Sequence, residues 1–392
     1  MSTSYKKGTE AVWAGEGDIN TKGAATTPIV NSVAFAYDDL EEWYDVSKGN
    51  KQGYIYSRNT NPTVAALEEK IRVLENAEAA TAFATGMAAI SNTLFTFLTS
   101  GKKVVSIKDS YGGTSKLFLD FLPKYNVDVE LRDTTDHDAL EASIAKGCDV
   151  VYLETPTNPT LKIIDIERLA KTAKAAGAIV LVDNTFATPV NQNPLQLGAD
   201  IVIHSATKYL NGHSDAMGGL IAGKKELVQK VFNFREINGA SLQAEHAYMI
   251  ARGMKTLELR IERQNASALK IAQYLKAHDK VSNVFYPGLE THKGHDIAKK
   301  QMRGFGGMMS FSLNGGWQSV QKFLPALKLA HRAASLGSVS TLAGPPRTTS
   351  HVELTEAQRK QLGIPEGLIR YSVGIENVDD LLSDIENALN KI

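Results

Sequence analysis

Four side chains that could take part in catalysis or ligand binding follow two apolar runs near the middle of the sequence. One run ends at Asp183, and the next leads into Ser205, Thr207 and Lys208. A lysine amine can form a Schiff base with an aldehyde, and a carboxylate can keep a neighbouring ring nitrogen protonated. Two hydroxyls two positions apart in an extended segment lie on one side of it and can donate to the same anion. The set therefore predicts a site for pyridoxal phosphate, an aldehyde with a basic ring nitrogen and a phosphate.

A plainer interpretation of Lys208 is a solvated surface residue. Lysine is mostly exposed in folded proteins, and a single lysine after a strand is usually of this kind. A second feature upstream favours the site, because residues 81–90 predict a short strand, a tight turn at Gly86 and the start of an apolar helix. Helix N-termini bind phosphate through their free amides, although many such turns carry glycine for backbone reasons alone.

Strands of nearly continuous aliphatic character alternate with helical patterns through the middle of the chain. The predicted strands cover 104–107, 127–131 and 149–154 and continue from Ile179 and Ile201, and the predicted helices cover 115–121, 138–145 and 166–176. This alternation is typical of an α/β fold with a mostly parallel sheet between helices. Ligands of such sheets bind at the carboxyl ends of the strands. The residues at or just past those ends are Tyr111, Glu154, Asn158, Asp183, Ser205 and Lys208.

The two ends of the chain have different patterns. Residues 1–60 show no sustained period, but they are rich in aromatic side chains, which favours an irregular segment docked on the folded protein over a disordered one. The sequence Asn61-Pro62-Thr63 predicts a helix start. After a helical region at about 224–277, the chain mixes strands at 284–286, 308–312 and 368–373 with helices at 297–302, 317–324 and 378–392. This mixture predicts a small C-terminal α/β domain, with the boundary near residue 253.

The overall composition excludes several kinds of protein. The 43 basic and 43 acidic residues balance, so nothing indicates binding to nucleic acid or to an anionic membrane surface. The single cysteine, Cys148, excludes an intramolecular disulfide and a multi-cysteine zinc site, and we expect no metal. No apolar run is long enough to span a bilayer, and the first residues show no apolar signal region. We therefore expect a cytoplasmic protein.

Seven motifs in chain order resemble those of one family, the PLP-dependent enzymes of cysteine and methionine metabolism. The motifs are YSRNTNPT at 56–63, ATGMAA at 84–89, YGGT at 111–114, ETPTNP at 154–159, VDNT at 182–185, HSATKY at 204–209 and SVGIE at 372–376. The family includes cystathionine γ-synthase, cystathionine γ- and β-lyases, methionine γ-lyase and the O-acylhomoserine sulfhydrylases. The resemblance implies the aspartate-aminotransferase-like fold (fold type I), with a PLP-binding large domain at 61–252 and a small domain at 253–392.

The resemblance also implies roles for the residues that bind the cofactor. Lys208 would carry pyridoxal phosphate and then move protons on the substrate, and Asp183 would pair with the ring nitrogen. The phosphate would be bound by a set of amides and hydroxyls, those of Gly86, Met87, Ser205 and Thr207. Tyr111 would stack on the ring and assist the leaving group, although ordinary packing is an alternative for this residue.

A second group of residues is implied in substrate binding and assembly. Arg370 would bind the substrate carboxylate with its forked guanidinium, aided by Asn158 and Ser335. An alternative interpretation of Asn158 is that it only forms a turn with the following proline. Tyr56 and Arg58 would reach the phosphate of a neighbouring subunit, so that 1–60 forms an arm across a subunit boundary. The expected assembly is a homotetramer, a dimer of dimers with shared active sites.

The implied reaction is elimination or replacement at the γ carbon of an amino acid of sulfur metabolism, through a vinylglycine-type intermediate. Elimination would give 2-oxobutanoate and ammonia. Gly113 stands where methionine γ-lyases usually carry cysteine, whereas Ala334 stands where cystathionine γ-synthases and γ-lyases usually carry glutamate. Gly113 therefore favours a cystathionine enzyme, whereas Ala334 argues against one. A cystathionine γ-lyase or γ-synthase is the first interpretation, with methionine γ-lyase or O-acylhomoserine sulfhydrylase as alternatives and cystathionine β-lyase as a weaker one; His351 is a further candidate pocket residue.

Overall fold

The computed structural model of the protein describes residues 5–16, 23–350, 352 and 355–392. Two β-sheets organise these residues. The strands of the first sheet are β1 (Ala79–Phe83), β2 (Lys103–Ile107), β3 (Asp128–Arg132), β4 (Val150–Glu154), β5 (Ile179–Asp183), β6 (Ile201–Ser205) and β7 (Gly219–Gly223). The strands of the second sheet are β8 (Val281–Phe285), β9 (Met308–Leu313), β10 (His331–Arg332), β11 (Leu342–Gly344) and β12 (Leu368–Ser372).

Helices cover the sheets and connect their strands. Before and within the first sheet they are α1 (Lys7–Trp13), α2 (Leu40–Lys48), α3 (Pro62–Glu75), α4 (Gly86–Phe97), α5 (Gly112–Lys116), α6 (His137–Ala145), α7 (Ile166–Ala175) and α8 (Thr188–Asn191). Those that follow are α9 (Lys225–Asn238), α10 (Ala244–Met254), α11 (Leu257–Ala277), α12 (His295–Gln301), α13 (Gly316–Ala326), α14 (Glu356–Gln361) and α15 (Val378–Leu389).

The first sheet has seven strands in the order β1-β7-β6-β5-β4-β2-β3. Strands β3, β2, β4, β5 and β6 are parallel, and β7 is antiparallel to both of its neighbours, β1 and β6. The predicted α/β fold with a mostly parallel sheet is therefore confirmed. The carboxyl ends of β4, β5 and β6 lie side by side, which is the arrangement that a ligand site of this fold needs.

Alternating side chains of the central strands enter two separate hydrophobic cores. Tyr152 and Leu181 pack on the α4 side of the sheet, whereas Val151, Val180 and Val182 pack on the side of α6 and α7. All five side chains are fully buried. Burial of each such side chain contributes about 1.5–3 kcal/mol. This two-sided burial explains the nearly continuous apolar runs in the sequence and makes the strand ends a rigid base for polar groups.

The second sheet has five strands in the order β10-β11-β12-β9-β8 and is antiparallel except for the β10–β11 pair. Its core includes Phe311, Phe323 and Tyr371, together with side chains from α11 and α15. Strand β12 carries Arg370 in its middle. The division of the chain at residues 60 and 252 stays a prediction.

The prediction that the whole of residues 1–60 is irregular was wrong in two places, where α1 and α2 form. Helix α1 has only seven residues, and a helix of that length depends on tertiary contacts, which no sequence period reveals. The contacts here are reciprocal: Lys70 Nζ donates to the Ala11 carbonyl at 2.9 Å, and Lys7 Nζ donates to the Leu74 carbonyl at 2.6 Å. Among the helices of the described residues, none is long and apolar enough to cross a membrane.

Candidate active site

Three polar residues end three adjacent strands and form the floor of a cavity. Glu154 ends β4, Asp183 ends β5 and Ser205 ends β6, and Glu154 is the register partner of Asp183. The cavity has a volume of about 250 Å³. Its wall is formed by Thr85, Gly86, Met87, Ile90, Tyr111, Glu154, Asn158, Asp183, Thr185, Phe186, Ser205, Thr207, Lys208, Ala334, Ser335, Leu336, Thr349, Ser350 and Arg370. The structure thus brings together every predicted site residue except Tyr56 and Arg58.

Lys208 follows β6 and places its amine inside the cavity. The Nζ atom donates a hydrogen bond to Ser335 Oγ at 3.0 Å. Burial, and then the charge of Arg370, lower the pKa of Lys208 to about 8. Its neutral form, which is the nucleophile and the base, is therefore accessible near neutral pH.

Asp183 is held by donors on both of its carboxylate oxygens. Oδ1 accepts the backbone N–H of Thr185 at 2.9 Å, and Oδ2 accepts the Tyr152 hydroxyl at 3.4 Å. Burial raises the pKa of Asp183, while the hydrogen bonds from Thr185 act to lower it. A cation placed against this buried carboxylate is stabilised by it, as a protonated ring nitrogen requires.

The N-terminus of α4 opens onto the same cavity. The Thr85 side chain accepts the amide of Ala88 at 3.0 Å, so the preceding Gly86 and Met87 amides are the ones that a phosphate can reach. A Cβ atom on Gly86 would stand 2.7 Å from the Ser205 Cβ, so only glycine leaves this space open.

The two hydroxyls predicted to join these amides differ in their present contacts. Ser205 lines the cavity floor. The Thr207 hydroxyl donates to the Gly218 carbonyl at 3.3 Å and accepts the Gly218 amide at 3.1 Å. Thr207 can therefore donate to a phosphate only by giving up the long bond to that carbonyl.

Arg370 projects from β12 and faces the first sheet. Its Nη1 donates to Asn158 Oδ1 at 3.2 Å and its Nη2 donates to the Ser335 carbonyl at 2.9 Å. Burial lowers the pKa of Arg370 to about 10, which leaves the guanidinium charged at neutral pH. Ser335 itself has a φ of 124°, a left-handed value that costs a serine energy and that tertiary contacts must maintain. A buried cation beside an amide and a hydroxyl is suited to bind a carboxylate.

Tyr111 stands at the start of α5, and 46% of the residue is exposed at the edge of the cavity. Its backbone N–H donates to Glu154 Oε2 at 2.8 Å. Burial, and then the charge of Asp183, raise the pKa of Glu154 well above its usual range. Two carboxyl groups therefore share one buried strand edge.

The chain matches a known protein family over nearly its whole length. The sequence model of the family described as "Cys/Met metabolism PLP-dependent enzyme" matches residues 8–390. The chain belongs to this family. It is therefore a PLP-dependent enzyme, and the resemblance in its motifs is confirmed.

Three members of the family show how closely the chain follows its relatives. An L-methionine gamma-lyase of Fusobacterium nucleatum subsp. polymorphum is 46% identical over 391 residues, which are 99% of this chain and 99% of that protein. A cystathionine beta-lyase of Lactococcus lactis subsp. cremoris is 42% identical over 99% of this chain and 100% of its own length. The crystal structure of cystathionine gamma synthase from Xanthomonas oryzae pv. oryzae in complex with cystathionine has a TM-score of 0.94 at 38% identity, over 99% of both chains.

The donor set in the cavity fits the cofactor of the family. Pyridoxal phosphate needs an amine for its aldehyde, a carboxylate for its ring nitrogen and donors for its phosphate. Lys208, Asp183 and the Gly86 turn provide these groups within one cavity. Within the described residues, no group of three histidine, cysteine, aspartate or glutamate side chains is placed to hold a metal ion.

Tyr56 and Arg58 lie outside the cavity of their own chain. Both are exposed, and the Arg58 guanidinium stacks 5.1 Å from the centre of the Tyr56 ring. Their predicted contact with a neighbouring subunit stays a prediction. His351, the further pocket candidate, lies outside the described residues.

Several residues of the site were not singled out from the sequence. Thr185 and Tyr152 hold Asp183, and Phe186, Leu336 and Thr349 complete the cavity wall. Alternation along β4 and β5 carries a signal for Tyr152, which stands two residues before Glu154 and so shares its face. The contact of residues 334–336 and 349 with the strand ends has no local signal, because it depends on the packing of the second sheet.

Proposed function

We propose that this enzyme eliminates or replaces the γ substituent of an amino acid of sulfur metabolism, with pyridoxal phosphate bound at Lys208. The observation that carries the proposal is the contact of Lys208 Nζ with Ser335 Oγ, because the Ser335 carbonyl is in turn bound to Arg370. Lys208, the proposed base, and Arg370, the proposed carboxylate-binding cation, thus both form hydrogen bonds with Ser335. A substrate held by its carboxylate at Arg370 has its α carbon presented toward the amine of Lys208.

The cofactor supplies an electron sink for the electrons left on the substrate when a bond to its α carbon breaks. Lys208 in its neutral form takes the proton from that carbon, and its lowered pKa matches this task near neutral pH. Asp183 would hold a positive charge on the ring nitrogen, and Gly86, Met87 and Ser205 would bind the phosphate.

The substrate carboxylate binds to Arg370 and to Asn158, whose side-chain oxygen accepts from that arginine in the present geometry. The apolar side chains of Leu336 and Phe186 form part of the cavity wall and limit the entry of water. Tyr111 at the cavity edge delivers a proton to the leaving group at the γ position.

Two positions bear on the preferred substrate. A Cβ atom on Gly113 would stand 2.8 Å from Met87 Sδ and 3.0 Å from Tyr111 Cε1, so a cysteine there must displace the end of the Met87 side chain. This supports a cystathionine γ-lyase or γ-synthase over a methionine γ-lyase. Ala334 in the cavity wall offers no carboxylate for a distal amino group of cystathionine, and the 46% identity to a methionine γ-lyase also favours that second candidate. An O-acylhomoserine sulfhydrylase and, with less support, a β-lyase are the other candidates.

A product screen with purified, PLP-loaded protein tests the proposal. The substrates are methionine, cystathionine, homocysteine, O-acetylhomoserine and O-succinylhomoserine, each with and without cysteine or sulfide. Release of 2-oxobutanoate from a single amino acid identifies a γ-lyase, and a product formed only with added thiol identifies a γ-replacing synthase. Pyruvate as the sole keto acid would show that the reaction takes place at the β carbon and would overturn the proposal.

We also propose that the enzyme works in the cytoplasm as a homotetramer with shared active sites. The support lies in the exposed aromatic side chains of residues 1–60, among them Trp13, Trp43 and Tyr44. Exposed aromatic groups are typical of surfaces that another protein copy covers. Sedimentation analysis of the holoenzyme measures the assembly, and a monomer at working concentration would contradict it.

A further inference from the structure

Glu154 is buried in the cavity wall with 5% of its surface exposed, and it joins two loops of the site. Its Oε2 accepts the backbone N–H of Tyr111 at 2.8 Å, and the backbone N–H of Asn158 also donates to its carboxylate. Tyr111 follows β2 and Asn158 follows β4. One carboxylate therefore fixes the backbone at both of these positions.

The hydrogen bonds continue from Asn158 across the cavity. Its side chain accepts from Arg370, Arg370 donates to the carbonyl of Ser335, and the hydroxyl of Ser335 accepts from Lys208. A chain of contacts thus runs from Tyr111 through Glu154 to the amine of Lys208. Glu154 has no task of its own in the proposed reaction.

We propose that Glu154 is a positioning residue, which holds the Tyr111 ring and the Asn158 amide in the relative placement that the reaction requires. The inference rests on the proposed function, because it needs Tyr111 at the leaving group and Asn158 at the substrate carboxylate. Misplacement of a reacting group by about 1 Å can reduce a rate about 100-fold. A single side chain that accepts from two backbone donors is a stiff link between the two loops that carry them.

The surroundings of Glu154 argue against a purely structural role. Burial of a carboxylate costs energy, and the register partner is a second acid, Asp183. Both effects raise the pKa of Glu154. A neutral acceptor could bind one backbone amide without this cost. Perturbed acids that lie in a cavity cluster at functional sites.

The Glu154→Gln holoenzyme tests the inference. Glutamine keeps the size of the side chain but presents one acceptor and one NH₂ donor, so one of the two loops loses its bond. We expect kcat to fall about 10- to 100-fold, with cofactor retention after dialysis unchanged. The rate is measured on whichever amino acid the wild-type enzyme turns over, so a wrong substrate assignment does not mask the result.

A double-mutant cycle with Tyr111→Phe separates positioning from a general loss of stability. Because Glu154 acts partly through Tyr111, the loss of kcat in the double variant should be smaller than the product of the two single losses. Additive losses, or a wild-type kcat in Glu154→Gln, would overturn the inference. If Glu154→Gln does not fold, Glu154→Asp replaces it in the same cycle; it keeps the carboxyl group but is one methylene too short to reach both amides.

The matched control is Asp384→Asn. Asp384 in α15 is also buried, with 6% of its surface exposed, and it accepts the backbone amides of Lys328 and Leu329 at 2.9–3.0 Å. It lies outside the cavity wall. We expect this variant to lose thermal stability but to keep its kcat per folded molecule. An equal fall of kcat in both variants would show that loss of any buried carboxylate has this effect, and it would contradict the inference.

Discussion

At the ends of β5 and β6, consecutive residues send polar side chains to opposite faces of the sheet. Asp183 and Ser205 line the cavity. Asn184 and His204 instead contact Glu75 at the end of α3. Two buried polar clusters thus lie back to back across one sheet, and they differ in what surrounds them.

The cluster around Glu75 is closed. Asn184 Nδ2 donates to Glu75 Oε1 at 3.0 Å, and His204 Nε2 lies 2.6 Å from the same oxygen. Asn193 Nδ2 donates to Glu75 Oε2 at 3.1 Å. Protein groups thus take up both carboxylate oxygens, although His204 Nδ1 has no partner within the described chain. Such a network of mutually bonded groups stabilises a fold.

The cavity cluster is open. Lys208 donates one bond to Ser335 and has further donor capacity, and Gly86 and Met87 at the start of α4 line the cavity. The difference between the clusters is therefore spare hydrogen-bonding capacity next to an empty volume. Burial and polarity alone do not distinguish a catalytic cluster from a structural one.

The largest effect is expected from removal of the amine in the cavity. The Lys208→Ala variant should lose turnover by about 10⁴-fold or more, because it lacks both the cofactor attachment and the acid–base group. Its circular dichroism spectrum should match the wild type. Lys224→Ala is the control, since Lys224 contacts Asp200 at the opposite end of the sheet and should not affect the rate. Activity retained in Lys208→Ala would remove the central assignment.

Neutralisation of one acid in each cluster tests the comparison directly. Asp183→Asn should reduce turnover about 100- to 1000-fold and weaken cofactor retention, with little change in melting temperature. Glu75→Gln should destabilise the fold by about 1–3 kcal/mol and leave turnover per folded molecule unchanged. Urea unfolding and a rate assay on each variant measure both effects, and a reversed pattern would show that the clusters have been misassigned.

The pH dependence of cofactor capture follows from the lowered pKa of Lys208. Only the neutral amine attacks the aldehyde, so in protein stripped of cofactor the capture rate should rise with pH and level off above the pKa of about 8. Below that pH the rate should fall about tenfold per unit. Stopped-flow absorbance after addition of pyridoxal phosphate measures it. A rate that still rises steeply above pH 9 would mean that the amine is as basic as an exposed lysine.

The smallest signal is expected from a test across the subunit boundary. Arg58→Ala and Lys208→Ala variants, each inactive or nearly so, are unfolded together and refolded as a mixture. Random pairing into dimers with shared sites should restore about a quarter of the wild-type activity. Each variant refolded alone is the control. No recovery in mixtures that have exchanged subunits would contradict a shared site.

Local patterns in the sequence are sufficient to predict one half of the site. Asp183, Ser205 and Lys208 follow apolar strands, and a parallel sheet places the ends of such strands together. Arg370 and Asn158 are 212 residues apart, and their contact depends on how the second sheet packs against the first. Only the family resemblance predicted that Arg370 and Asn158 act together.

The structural cluster and helix α1 had no comparable signal. Glu75 and His204 are 129 residues apart, and each alone is typical of many environments. Helix α2 does carry local marks, since Asp39 caps its first amides and Gly49 ends it in a left-handed conformation. Helix α1 carries none, because it is formed by lysine contacts with α3.

The measurement that most directly tests the account is the mapping of the cofactor on the holoenzyme. Borohydride reduction fixes pyridoxal phosphate to the amine that holds it, and mass spectrometry of the peptides then locates the modified lysine. We predict modification of Lys208, with one cofactor bound per chain. Modification of another lysine such as Lys162, or of none, would contradict it.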